Sequence, residues 1–196
     1  MYSIKRNIEN TIEIKKSKFI TKLYKVNNID EVNEILETAK KLYNDSTHIC
    51  YAYIVNSLEK CSDDGEPSGT AGAPILNILK KNNLTNIVAI VIRYFGGIKL
   101  GAGGLVRAYS NSILETLKLT NIIKLTSGIL IEVKFKYEQT KLVDYIFKDK
   151  IILEKKYDDL ITYILTLKES DSNIIDELKN NNITVTIKNK VLIEED

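Results

Sequence analysis

Two short segments hold most of the residues able to bind charge or carry out chemistry. The first, Ser62-Asp-Asp-Gly-Glu-Pro-Ser-Gly-Thr-Ala-Gly-Ala-Pro74, offers the carboxylates Asp63, Asp64 and Glu66 and the hydroxyls Ser68 and Thr70 on a turn-rich path. The second, Arg93-Tyr-Phe-Gly-Gly-Ile-Lys-Leu-Gly-Ala-Gly-Gly-Leu-Val-Arg107, carries Tyr94, the glycines Gly96, Gly97, Gly101, Gly103 and Gly104, and the cations Arg93, Lys99 and Arg107. Eight of the nine glycines and both prolines fall between Gly65 and Gly104, so unusual backbone capacity is concentrated there. A glycine-rich loop that leaves a strand and opens a helix can aim backbone N–H groups at an anion, aided by the helix dipole. Four positions separate Arg107 from Asn111, which places both on one helix face with Ser110 close by. These residues form the expected partner- or anion-binding set.

Competing readings apply to the same residues. The glycines also suit tight turns and close packing, and Arg93 can pair internally with Asp63 or Asp64. Asp63, Asp64 and Glu66 can be metal ligands or acid–base groups, or they can cap the loop and the helix that follows. The second segment matches neither GxxxxGK[ST] nor GxGxxG followed by a ribose-binding acid, which argues against a standard nucleotide site. His48 and Cys50 share one face of an expected strand, but no orienting acid or oxyanion hole accompanies them. Tyr51, Tyr53, Tyr94 and Tyr109 suit packing better than base stacking. No catalytic residue, metal ligand or cofactor is expected.

The elements that must position these residues follow from hydrophobic periodicity. Thr11 to Val26 reads as a β-hairpin with Lys15 to Lys18 at its tip. Val32, Ile35, Leu36, Ala39, Leu42 and Tyr43 recur at helical spacing, and Asn28 three residues before Glu31 suggests a capping box. Segments 49–55 and 87–92 read as central strands, the second apolar enough to be buried on both faces. Helices are expected over 73–82, with Pro74 in the first turn, and over 103–119. After a polar junction near 120–128 come strand 129–135, helix 137–147, strands 151–156 and 161–168, helix 170–181 and strand 183–188, a βαββαβ order of ferredoxin type. The expected domains are therefore 1–124 and 125–196, in an α+β chain.

With 196 residues, 44% of them apolar and 28% charged, the chain has an ordinary globular composition. It lacks both a membrane-length apolar run and the apolar core of a signal peptide, and a cytoplasmic location is expected. Two cysteines and one histidine exclude a disulfide framework and a multi-histidine site. Residues 1–124 carry 17 Lys/Arg against 12 Asp/Glu, and residues 125–196 carry 11 against 14. The basic first half permits an anionic partner.

Three blocks, Thr47-His-x-Cys-Tyr-Ala-Tyr53, Ser62 to Gly72 and Arg93 to Asn111, resemble the signatures of the IMPACT family. The resemblance covers residues 1–124, and the βαββαβ segment is similar to the C-terminal domain of its YigZ-like bacterial branch. It implies an N-terminal βαβ domain like the second domain of a small-subunit ribosomal protein, and a C-terminal domain like those of elongation factor G. It further implies a non-enzymatic regulator of translation or stress response whose partner is RNA, the ribosome or a translation-associated protein. Eukaryotic members regulate a translational stress kinase by competing for its activator, using an accessory domain that has no counterpart in this sequence. Ile49 departs from the pattern, since relatives often place a polar residue there. The alternative is an enzyme acting on a phosphorylated or nucleotide-like small molecule.

Overall fold

A computed structural model describes residues 1–195 and divides the chain into two compact units, Met1–Lys124 and Leu125–Asp196. Both are α+β.

The first unit is built on the antiparallel sheet β2 (Ile8–Ile14), β3 (Ser17–Lys25), β6 (Ile87–Tyr94), β4 (His48–Val55) and β5 (Leu58–Ser62), in that spatial order. Helix α1 (Ile29–Leu42) covers one face, and α2 (Gly72–Lys81) and α3 (Ala102–Leu117) cover the other. That sandwiching explains the unbroken apolar run of β6, whose first seven residues are all buried. Val88, Ile90 and Ile92 face the α1 layer, while Ile87, Ala89, Val91 and then Arg93 face α2 and α3. The β2–β3 turn is the two residues Lys15 and Lys16, both at positive φ, which matches the right-handed twist of the flanking strands. Asn28 Oδ1 accepts the Glu31 N–H at 2.9 Å, and the Glu31 carboxylate reaches back to the Asn27 N–H at 3.0 Å, so α1 is capped reciprocally one residue earlier than the standard box.

Strand β5 was not expected from the sequence, because it is a polar, largely exposed edge strand. It reverses the chain before α2, so β6 enters antiparallel to β4 rather than by a parallel crossover. A further strand, β1 (Tyr2–Ile4), pairs with Ile122–Lys124 at the start of β7 (Ile122–Phe135). The expected polar junction near 120–128 is thus largely strand, its alternating β-branched residues outweighing the glycine and serine within it.

The second unit continues through β7, α4 (Thr140–Ile146), β8 (Ile152–Tyr157), β9 (Ile161–Lys168), α5 (Asn173–Asn180) and β10 (Thr184–Glu194). Its antiparallel order, β10-β7-β9-β8, is the ferredoxin-like arrangement. Phe135 and Tyr163 meet edge to face in its core, with ring centroids 4.9 Å apart. Among the described residues no helix is long and apolar enough to cross a membrane.

Candidate binding surface around the amino end of α3

The two segments singled out by sequence converge where β6 hands over to α3. Asp63 is a brace for the first loop: its Oδ2 accepts the Gly69 N–H at 2.8 Å, and its Oδ1 accepts those of Ala71 and Gly72 at 3.0 and 2.8 Å. Partial burial would raise this carboxyl, but the three donors prevail and hold it below its ordinary value. Asp64 Oδ2 accepts the Ile49 N–H at 2.6 Å, and its carbonyl accepts from His48 Nδ1 at 2.7 Å. Thr70 is buried and donates to the Pro67 carbonyl. Ser68 is exposed.

Arg93 is an interior residue. Its Nη1 donates to Glu66 Oε1 at 2.6 Å, and both side chains are almost fully buried. The internal partner is therefore Glu66, not Asp63 or Asp64, because Arg93 and Glu66 both face the α2–α3 layer. Tyr109 donates to the same Glu66 oxygen at 2.7 Å, and the Arg93 guanidinium lies over the Phe19 and Phe95 rings at 5.4 and 5.6 Å. Cys50 Sγ lies 3.0 Å from the Asp63 carbonyl and 3.3 Å from the Tyr109 hydroxyl. Burial pushes the Cys50 thiol up to about 12 and raises Tyr109 as well, so at neutral pH both are neutral hydrogen-bonding groups. Tyr94 faces the α1 layer and donates to Asp45 at 2.9 Å, apart from the rest of the set. Among the described residues no cluster of three or more His, Cys, Asp or Glu is arranged to hold a metal.

The loop after β6 divides by role. A Cβ on Gly96 would lie 2.0 Å from the backbone of Lys16, so this glycine is required for packing against the hairpin turn. Gly97 and Gly101 hold positive φ. Gly104 would crowd Leu100 at 3.1 Å. Gly103 has no such reason: it lies in helical backbone at negative φ, is exposed, and would place a Cβ in open space.

Two cavities open beside α3. One, about 360 Å³, is lined by Glu66, Arg93, Phe95, Lys99 and Gly101. The other, about 570 Å³, is lined by Arg107, Ser110 and Asn111 with Lys15 of the hairpin. Leu100 borders both. The expected set is thereby split, with Lys99 and Arg107 in separate cavities and Asp63, Asp64, Ser68, Thr70, Tyr94, Gly96, Gly97 and Gly103 outside them.

Sequence reasoning missed Ser17, whose buried Oγ accepts the Gly96 N–H at 3.2 Å, and it missed Tyr109 as a ligand of Glu66. It also missed Phe95, Ile98 and Val106, apolar side chains left exposed around the cations. One signal was available: no Asp or Glu occurs between Glu66 and Glu115.

The Impact N-terminal domain family model matches residues 15–117, which contain every residue lining the two cavities except Ile14. The chain belongs to the IMPACT family. It is 35% identical over 181 residues to the IMPACT family member YvyE of Bacillus subtilis (strain 168), covering 90% of this chain and 83% of that one. It is 40% identical over 111 residues to the IMPACT family member YigZ of Escherichia coli (strain K12), covering 54% of each. A crystal structure of a hypothetical protein superposes with a TM-score of 0.69 at 27% identity, covering 100% of this chain and 98% of the other. The matched IMPACT region runs from the β2–β3 turn to the end of α3, so it includes the smaller cavity, all of the larger one but Ile14, and the buried Glu66–Arg93 pair.

Proposed function

We propose that this IMPACT-family chain is a non-enzymatic regulator that docks on a component of the translation apparatus through the acid-free face around the amino half of α3. The observation that carries this reading is the exposure of Lys99 and Arg107, without ion-pair partners among the described residues, beside exposed Phe95, Ile98 and Val106. The α3 amino end adds to the positive field, having neither a side-chain cap nor an acidic residue in its first turn. Beneath it, Glu66 and Arg93 neutralise each other, and Asp63 and Cys50 are held in structural roles.

Co-sedimentation with purified ribosomes at about 50 and 200 mM salt tests the reading, since contacts to phosphates weaken steeply as counterions compete. The comparison is with Lys99→Ala/Arg107→Ala, whose side chains are exposed and whose fold is checked by circular dichroism. Salt-sensitive native binding that the double variant loses is the expected result. No native binding contradicts the reading.

The second reading is an enzyme acting on a phosphorylated small molecule, favoured by the cavity of about 360 Å³ with Glu66, Arg93 and Lys99 in its walls. A thermal shift with a nucleotide and sugar-phosphate library, with and without magnesium, is its expected mark.

A further inference from the structure

On α3, Gly104, Arg107, Asn111 and Leu114 form one stripe, because residues three and four apart share a helix face. The stripe spans roughly 15 Å at about 1.5 Å per residue. Across a groove of about 570 Å³ it faces Ile14 and Lys15 at the end of β2, with Leu100 at the amino end of the groove.

We propose that this groove docks a short peptide segment of a protein partner that combines acidic and apolar side chains. The inference rests on the reading of the α3 face as a binding surface, and it adds the chemistry of the occupant. Charge complementarity carries the acidic half. Lys15 and Arg107 stand exposed at the groove with no ion-pair partner among the described residues. The carboxylates closest in sequence are spoken for or turned away. Glu13 alternates to the opposite face of β2 from Ile14, and Glu115 is held by Lys118 at 2.7 Å.

The walls carry the apolar half. Leu114 is 39% exposed, and Ile14 and Leu100 are only partly buried, so the groove leaves apolar area in water beside its two cations. A nucleic-acid backbone would satisfy the cations and leave that area exposed. A peptide with leucine or phenylalanine next to aspartate or glutamate covers both, and Asn111 can hydrogen-bond its main chain. About five residues of extended chain, at roughly 3.3 Å each, match the length of the stripe.

The test is a phage-displayed random 12-mer peptide library selected on the immobilised full chain, with an unrelated protein as the background surface. Selected peptides are then synthesised with a fluorophore and titrated by anisotropy against the native chain, Arg107→Glu and Leu114→Ser. Both positions are exposed, and the fold of each variant is checked by circular dichroism. The expected result is enrichment of sequences carrying both Asp/Glu and Leu/Ile/Phe, with affinity lowered about tenfold or more by Arg107→Glu and measurably by Leu114→Ser. Enrichment no greater than background, selected peptides without acidic residues, or equal binding to Arg107→Glu would overturn the proposal. So would binding of a fluorescent 12-mer oligouridylate that is lost in Arg107→Glu, with no acidic peptide selected, which assigns the groove to nucleic acid. Ribosome binding without peptide enrichment removes this occupant and leaves the translation reading standing; acidic peptide enrichment without ribosome binding supports the groove and removes that reading.

Discussion

Glu66 and Arg93 neutralise each other inside the first unit, and their value is clearest when one is removed. Arg93→Met strands a buried carboxylate and is expected to destabilise the unit by about 3–5 kcal/mol in urea unfolding, whereas adding Glu66→Leu should recover much of that loss. Asp63→Asn keeps the shape but leaves one oxygen to serve three N–H donors, an expected cost of about 1–3 kcal/mol, with faster hydrogen exchange at Gly69, Ala71 and Gly72. Because the folded Asp63 carboxyl sits below its ordinary 3.8, its contribution is whole above that pH and is lost as pH falls through the folded value. Cys50 runs the other way. Its neutral thiol contributes fully below about pH 9.0, and that contribution is lost as pH climbs toward 12. Iodoacetamide at pH 8, read by mass spectrometry, is therefore expected to leave Cys50 unmodified in the folded chain. The sequence showed these residues clustered but not their partners. Glu66 rather than Asp63 meets Arg93 because the chain turns from Asp63 to Glu66, with Asp64 and Gly65 at positive φ and the Glu66 N–H donating to the Asp63 carbonyl, a geometry that residue types alone do not fix.

Among the elements, α3 carries a glycine that its own packing does not explain. Gly103 weakens the first turn of a helix, and no neighbour or backbone angle within the chain requires it. Gly103→Ala is expected to raise stability by about 0.5 kcal/mol in thermal unfolding while weakening ribosome co-sedimentation, the pattern of a glycine kept for close approach of a partner. A gain in stability with binding unchanged would remove Gly103 from the surface. Elements with strong periodicity were legible in the sequence: α1 through its stripe and Asn28 cap, β6 through its apolar run, and the βαββαβ order of the second unit. Strands β1 and β5 were not, since each is short and polar or half exposed and is held by its pairing partner rather than by its own pattern.

At the scale of the whole chain, membership in the IMPACT family rests on residues 15–117, and the candidate surface lies within that span but for Ile14 at its edge. That the two glycine-rich segments meet at one end of the sheet was legible, but their division into a buried scaffold and an exposed face was not. That division depends on which face of β6 each side chain takes, and a one-residue step reverses it, as Arg93 and Tyr94 show. The exposed face of the loop and α3, rather than the buried Glu66–Arg93 network, is proposed to make the functional contact. Hydrogen exchange read by mass spectrometry, on the full chain with and without purified ribosomes, tests it most directly. Protection concentrated in residues 95–114, with the rest of the first unit unchanged, is the result expected; bound chain in which 95–114 exchange as in the free state would contradict it.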